Sequence, residues 1–593
     1  MKEYDIIVIG AGHAGIEAAA AAARRGASVA LFTKSETDIG AMSCNPSIGG
    51  PGKSQLVAEI DALGGMMPRA ADMAGIHFRV LNATHGPATQ ALRAQIDRDL
   101  YRDAVKTLLG LNSPSLAKGC RASGGVVINE SMTTTPSAAF GVCHPFASEG
   151  DLYRANLTTI YEPVESLDLQ NKIVNGKYRA KAVVVTAGTF LRGLVHRGPE
   201  KIESGRLQDD GTYQSPDKNI SAVLMTAGFE LIRLKTGTPA RLYADSIDFS
   251  KCEIQQGDED HPWFSNQGSQ ITNHGRRSCH ITHTTEQTHA VIRGNISDAP
   301  MYNGEITGIG PRYCPSLEDK VMRFPEHLSH HVFLEPEGID SDMIYPNGLS
   351  TSMSSAVQDK FLRTIPGLEN VRIARYGYAI EYDAIDARTL KSTLESKDIP
   401  GLFFAGQING TSGYEEAATQ GLVAGANAAA YAMNKQSLIL DRTNSMIGVL
   451  IDDITMLGVD EPYRMFTSRA EYRLSLRADN AIFRLGSIGV ESGLVTAEQF
   501  EKNSNQKSAI RNENDKFYAG YIARQAREIE SYQRDKNIKI PMDFDYAAMS
   551  GLTNELKEKL SRARPENIAA LSRIPGVTPS GTMVILRAMK KNS

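Results

Sequence analysis

The first apolar run of the chain, Tyr4-Asp-Ile-Ile-Val-Ile9, has strand length and stops at Gly10. Gly10-x-Gly12-x-x-Gly15 follows, opening an alanine-rich stretch from Ala14 to Arg25, and a second apolar run covers Ser28 to Phe32. This order predicts strand, tight turn, helix and parallel strand, the arrangement that cradles a dinucleotide. Gly10 permits the turn, Gly12 lets backbone approach a pyrophosphate, and Gly15 lets helix and strand pack closely. The helix start presents free N–H groups to the phosphates. Thr33 and Lys34 stand where a ribose-binding carboxylate is expected, and Glu36 comes late.

Two later apolar runs fit the same sheet. Lys181-Ala-Val-Val-Val-Thr-Ala-Gly-Thr reads as a central parallel strand ending in a small-residue turn, and Gly401-Leu-Phe-Phe-Ala-Gly-Gln as a third strand leading to a helix near Tyr414. Glu415 and Glu416 in the first turn of that helix complement its dipole, and its N–H groups suit an anionic edge. Paired with the N-terminal cradle, this predicts a discontinuous, two-part flavin site.

The fold class expected is therefore α/β: a discontinuous Rossmann-type FAD-binding domain with an inserted α/β domain and a C-terminal α-helical domain. Residues 1–204 form the first part of the FAD-binding domain, 205–350 the insert for NADH or substrate, 351–434 the second part and 435–593 the helical module. Residues 112–150, rich in Ser, Thr, Gly and Ala without periodicity, read as an atypical insertion. A helix is expected from about Gln55 to Leu63. The stretch before it ends in Gly-Gly-Pro-Gly-Lys-Ser but is not a phosphate loop, because Ser47 occupies the position of the first glycine and no buried strand precedes it.

With 41% apolar and 22% charged residues the composition is globular. The start of the chain carries no charged-then-apolar leader, and no apolar run is long enough to cross a bilayer, so a soluble cytoplasmic protein is expected. The net charge of -4 leaves any polyanion to local basic patches. Six cysteines without C-x-x-C spacing argue against a disulfide framework and against zinc, and no metal is expected.

Two of the six are candidate nucleophiles. Cys314 has Arg312 and Lys320 nearby, which favour a thiolate, and Pro315 bracing the backbone; Cys44 lies in a Gly- and Pro-rich turn. Cys120, Cys143, Cys252 and Cys279 take the default of small buried side chains. The run Glu461-Pro-Tyr-Arg-Met-Phe-Thr-Ser-Arg-Ala-Glu-Tyr-Arg-Leu-Ser-Leu-Arg477 is a candidate RNA contact. If Ser468 caps a helix with Glu471 closing the box, Arg469, Arg473 and Arg477 share a face, with Arg464 upstream and Tyr463, Phe466 and Tyr472 for stacking. Tyr472–Arg477 reads equally as a strand, and a solvated arginine face is the commoner explanation of such a run.

These segments, with Arg233-Leu-Lys-Thr-Gly-Thr-Pro, Phe333-Leu-Glu-Pro-Glu-Gly and Tyr378-Ala-Ile-Glu-Tyr-Asp, resemble the glucose-inhibited division protein A family (GidA, also MnmG), which modifies the tRNA wobble uridine. The resemblance implies FAD as resident cofactor, NADH as reductant, methylenetetrahydrofolate as one-carbon donor, and a homodimer forming a heterotetramer with a GTPase partner of the MnmE type. It implies that Gly10, Ala11, Gly12, His13, Ala14 and Gly15 hold FAD, with Val164 toward the adenine and Gln407 at the flavin. It implies a nicotinamide-binding segment of Gly310, Pro311, Arg312, Tyr313, Cys314, Pro315, Ser316, Leu317, Glu318, Asp319, Lys320, Val321, Met322, Arg323 and Phe324. Cys44 and Cys314 match its two functional cysteines. The implied chemistry is addition of a cysteine thiolate to uridine C6, so that C5 captures the folate-derived carbon and ammonium or glycine completes the arm. Against the family, the 112–150 insertion and a shortened C-terminal module are expected departures. Alternatives are a folate- and FAD-dependent tRNA uridine C5-methyltransferase and a non-catalytic, flavin-stabilised RNA-binding or assembly protein.

Overall fold

In the computed structural model, which describes residues 1–111, 156–207, 212–266, 275–312 and 315–592, the first apolar run becomes strand Lys2–Ile9. It pairs in parallel with Val29–Thr33 on one side and Tyr178–Val185 on the other, and both Leu157–Tyr161 and Leu402–Phe404 extend the sheet in parallel. An antiparallel hairpin of short strands, Leu167–Asp168 and Ile173–Val174, brings it to seven strands. Ile6 to Ile9 and Ala182 to Val185 are buried, as continuous apolar runs covered on both faces must be.

Helices His13–Arg24 and Tyr414–Ala432 cross at van der Waals distance because both are lined with alanine and glycine. A Cβ at Gly421 would stand 2.0 Å from the Ala14 carbonyl oxygen, and one at Gly425 2.1 Å from that of Ala18. The two halves of the nucleotide-binding unit, remote in sequence, are thus held at one place by small residues that permit backbone approach.

Among the described residues, three antiparallel sheets complete the body. Strands run Glu200–Glu203, Leu194–Arg197, Tyr378–Ile385 and Leu231–Thr238 in the first of them. The second has six strands, in the order Glu253–Gln255, Cys279–His283, His331–Pro336, Met343–Asn347, Arg241–Tyr243 and Ile373–Arg375. Residues 205–350 therefore contribute to two sheets, each finished by strands from outside that range. A three-stranded sheet, Ser47–Gly49, Ala91–Ile96 and Gly75–Leu81, lies beside helix Lys53–Ala62.

The last helices, Asn554–Ala563, Ile568–Arg573 and Pro579–Asn592, enclose their own core of Leu556, Leu560, Leu571, Ile574 and Ile585. Polar contacts join them to the body: Lys397 Nζ donates to the Ala563 carbonyl at 2.6 Å, Arg562 pairs with Asp386 at 2.8 Å, and Arg573 pairs with Asp452. Ahead of them, helices Ala497–Phe517 and Ala519–Asn537 bury no residue fully. No helix among the described residues is long and apolar enough to cross a membrane. The segment expected as an insertion, 112–150, lies outside the described residues, as do Tyr313 and Cys314.

Candidate functional site

Gly10 turns the chain at φ +104°, and a Cβ on Gly15 would stand 1.7 Å from the Gly10 carbonyl oxygen. Gly12 is different, since a Cβ there meets nothing within 4 Å. Its open side faces a cleft of about 740 Å³ that Gly10, Ala11, Gly12, His13 and Ala14 line together. At one end the cleft is walled by Thr33, Lys34, Glu162 and Val164, and past the glycine turn by Gln407, Gly413 and Tyr414. Val164 and Gln407 thus stand at opposite ends of one cavity. Glu36 is not among its walls and pairs instead with Lys106 at 2.8 Å; Asp38, held by Arg206 at 3.2 Å, lines the cleft along with Glu162 and Asp217.

At the far side, Gly413 begins helix Tyr414–Ala432 at φ +132°. Glu415 and Glu416 do more than complement the helix dipole. Glu415 accepts the Gly49 N–H and pairs with Lys53, both at 2.7 Å, and Glu416 accepts the Met465 N–H at 3.0 Å and lies 3.2 Å from the same ammonium. Lys53 is therefore charge-compensated inside the protein.

His13 stacks on Tyr414 with ring centroids 4.5 Å apart, and its Nε2 has no hydrogen-bond partner. Burial, against the opposing charge of Glu415, brings its pKa down to about 4, so it is neutral at pH 7. An unfolded chain binds this proton near pH 6.5. Between those values the unfolded state holds more protons, so stability falls as pH drops from 6.5 toward 4, by about 3 kcal/mol at the lower end. His13→Asn is expected to flatten that dependence, read as a smaller difference between melting temperatures at pH 7 and pH 4.5.

Cys44 lines the same cleft. Its Sγ lies 3.2 Å from the Tyr345 hydroxyl and its N–H donates to the Tyr414 hydroxyl at 2.8 Å, so one residue touches both the cofactor-end helix and the six-stranded sheet. Two arginines hold its loop from behind: Arg98 donates to the Met42 carbonyl at 2.5 Å and to that of Cys44, and Arg241 reaches the Ser43 carbonyl at 3.4 Å. Both pair with Glu337, at 2.7 and 2.6 Å. Burial alone would raise the Glu337 carboxyl, but Arg98 and Arg241 hold it below the usual carboxylate range. Arg241 also lies 4.6 Å from the centre of the Tyr345 ring. Of the other described thiols, Cys279 is pushed up to about 12 by burial and Cys252 is raised by burial as well.

Of the segment Gly310 to Phe324, Pro311 lines the cleft. Leu317–Arg323 is a helix capped by Ser316, with Leu317 and Val321 buried. Glu318 accepts from Ser352 N–H at 2.8 Å and Lys320 donates to the Gly348 carbonyl at 2.8 Å, so these polar groups face the protein.

The arginine run does not form the expected capped helix. Thr467–Arg469 is a single 3₁₀ turn, turns follow up to Asn480, and Glu471 pairs with Arg442 at 2.9 Å instead of closing a box. The arginines separate accordingly. Arg464 lines the cleft with Phe466, Arg469 lies over the Tyr463 ring at 4.1 Å, and Arg473 is exposed. Arg477 is fully buried, paired with Asp479 at 2.9 Å and Asp515 at 2.6 Å, and the buried Tyr463 donates to Asp453 at 2.7 Å. Neither Arg477 nor Tyr463 can meet RNA in this state. Arg477→Met is expected to cost about 3 kcal/mol, because it removes the arginine paired with Asp479 and leaves Asp515 with Arg511 alone at 3.0 Å. Denaturant titration checks the loss, and RNA affinity of the folded fraction should stay unchanged.

Sequence reading missed Tyr345, Tyr414, Arg98, Arg241 and Glu337 as parts of the Cys44 environment. They lie on separate elements and carry no common local motif; only the strand-to-glycine context around Tyr414 gave a signal.

The family model described as "Glucose inhibited division protein A" matches residues 5–116 and 152–436, so residues 117–151 fall between its matched stretches. A second, "tRNA modifying enzyme MnmG/GidA C-terminal helical bundle", matches 528–593. Among solved structures, GidA of Aquifex aeolicus in its form I crystal is similar at 40% sequence identity and a TM-score of 0.84, over 99% of this chain and 100% of that one. In its form II crystal the values are 38% and 0.83, over 99% and 98%. With its cofactor-binding body and its terminal bundle both matched, this α/β chain of FAD-binding fold belongs to the MnmG/GidA family of tRNA-modifying enzymes.

Proposed function

We propose that this protein adds an aminomethyl or carboxymethylaminomethyl group to C5 of the tRNA wobble uridine, using FAD, NADH and methylenetetrahydrofolate, as a homodimer working with a GTPase partner of the MnmE type. The observation that carries the reading is the position of Cys44, which lines the same cleft as the glycine cradle and the Gly413 helix start. The residues present fit FAD: Gly12 leaves open space where a diphosphate must approach, and the buried, unpartnered His13 Nε2 stands beside it in the wall. Gly10 to Gly15, Val164 and Gln407 would hold the cofactor. When bound, FAD supplies redox chemistry linking NADH to the one-carbon unit.

The chain's own residues then act on the base. The Cys44 thiol gives up its proton, for which the Tyr345 hydroxyl at 3.2 Å is the nearest relay. Its sulfur forms a bond to uridine C6, the π pair moves toward C5 and O4, and C5 becomes nucleophilic. After C5 has bonded to the incoming carbon, loss of the C5 proton and cleavage of the S–C6 bond restore the ring. Cys314, matched to the family's second cysteine, would assist, and Gly310 to Phe324, of which Pro311 lines the cleft, would serve NADH. Arg464, Arg469 and Arg473 remain candidates for tRNA.

The test is the mass of wobble nucleosides in tRNA from cells lacking this protein, before and after it is restored. Recovery of the aminomethyl or carboxymethylaminomethyl nucleoside is expected; recovery of 5-methyluridine alone would replace this reading by the methyltransferase one.

A further inference from the structure

Beyond Cys44 the cleft continues between the three-stranded and six-stranded sheets, and this arm has a chemistry of its own. Arg79 and Arg93 are directly opposed across strands Gly75–Leu81 and Ala91–Ile96, and both line the cleft. Like charges in cross-strand register repel. Arg93 is compensated by Glu335 at 2.6 Å, but the nearest carboxylate to Arg79 is Asp258 at 4.0 Å, and Asp258 already accepts the Val80 N–H. Nε of Arg79 makes no hydrogen bond.

Gln95 lies two residues along from Arg93 and also lines the arm, 2% exposed. Its Nε2 donates to the Pro336 carbonyl at 3.2 Å, which fixes the amide so that Oε1 is the free end, and that oxygen has no partner. A buried acceptor left unpaired costs stability unless something supplies a donor. Phe333 and Asn347, cross-strand neighbours, form the opposite wall. Asn347 follows Tyr345 by two residues on the same face, so this wall begins about 7 Å from the contact with Cys44, one repeat of a strand.

We propose that Arg79, Gln95 and Phe333 form a second-substrate subsite for a flat heterocycle that bears an N–H donor and an oxyanion arm. Phe333 offers the face against which the ring lies, Gln95 Oε1 accepts its N–H, and the guanidinium fork of Arg79 takes the phosphate or carboxylate. This deepens the proposed function, on which it rests for the identity of the ligands. A uridine nucleotide, a reduced folate with its glutamyl carboxylates and a dinucleotide reductant share that chemistry, and the same experiment separates them.

The test is calorimetric titration of the FAD-loaded full chain with uridine 5′-monophosphate, uridine, tetrahydrofolate and NAD+, which cannot reduce the flavin, for the wild type and for Arg79→Gln. One of the three oxyanion ligands is expected to lose about tenfold or more in affinity, while uridine, with no oxyanion, is unaffected; the ligand that loses identifies the occupant. Equal affinities of wild type and variant for all three, or no binding of any of them to the wild type, would overturn the subsite. Should Arg79→Gln fail to hold flavin, Arg79→Lys is read by the same standard, since it keeps the charge and loses the fork. Because these are binding measurements, they stand apart from the nucleoside assay. Loss of a ligand in the variant without any wobble product in cells would sink the functional reading and leave the subsite.

Discussion

Cys44→Ser is expected to lower wobble-uridine modification by about a hundredfold or more while the purified protein stays folded and yellow. A serine hydroxyl is far harder to deprotonate than a thiol and is the poorer nucleophile toward C6. The change is nearly isosteric, and Sγ makes only weak structural contacts, to the Tyr345 hydroxyl at 3.2 Å and the Gly237 carbonyl at 3.8 Å. Fold and cofactor should therefore survive. The nucleoside assay in complemented cells, beside the flavin spectrum and melting curve of the variant, reads both parts. Full modification by Cys44→Ser would remove this thiol from the chemistry.

The second large effect separates two glycines of one motif. Gly15→Ala is expected to give protein without flavin and with a lowered melting temperature, since its Cβ would stand 1.7 Å from the Gly10 carbonyl oxygen and 2.9 Å from Thr186 Oγ1. Backbone cannot yield there without opening the strand–helix junction. Gly12→Ala has no such clash, and its φ of -71° suits alanine. The apoprotein should keep its stability to within about 1 kcal/mol, yet bind FAD at least tenfold more weakly, because the methyl group fills the space left for the diphosphate. Flavin titration of both apoproteins checks the pair. A Gly12→Ala variant that loads FAD normally would place the diphosphate elsewhere.

What could be read in advance follows the range of the forces involved. Strand, glycine turn and helix at residues 2–24 are local: an apolar run, three glycines at fixed spacing and an alanine stretch suffice, and the helix expected from Ala14 to Arg25 runs His13–Arg24. The strand at Leu402–Phe404 and the helix from Tyr414 were legible for the same reason. Arg464 to Arg477 were not. Their spacing fits a helix face, but Arg442 captures Glu471, and Asp479 and Asp515 draw Arg477 into the interior; tertiary ion pairing overrode the local pattern. Glu415 and Glu416 were read as helix-dipole residues, and their further task of neutralising Lys53 depends on a lysine 362 positions away from Glu415.

By itself, then, the amino-acid sequence determined the class of fold, the two-part cradle and the presence of a thiol in a rigid turn, because each is written in contiguous residues whose backbone preferences act within a few positions. Only the tertiary structure decided which groups surround that thiol. Tyr345, Tyr414, Arg98, Arg241 and Glu337 reach the Cys44 loop from separate elements, and the opposed Arg79 and Arg93 depend on strand register. Such meetings come from the packing of whole sheets, whose burial outweighs any single local preference, and no local pattern encodes them.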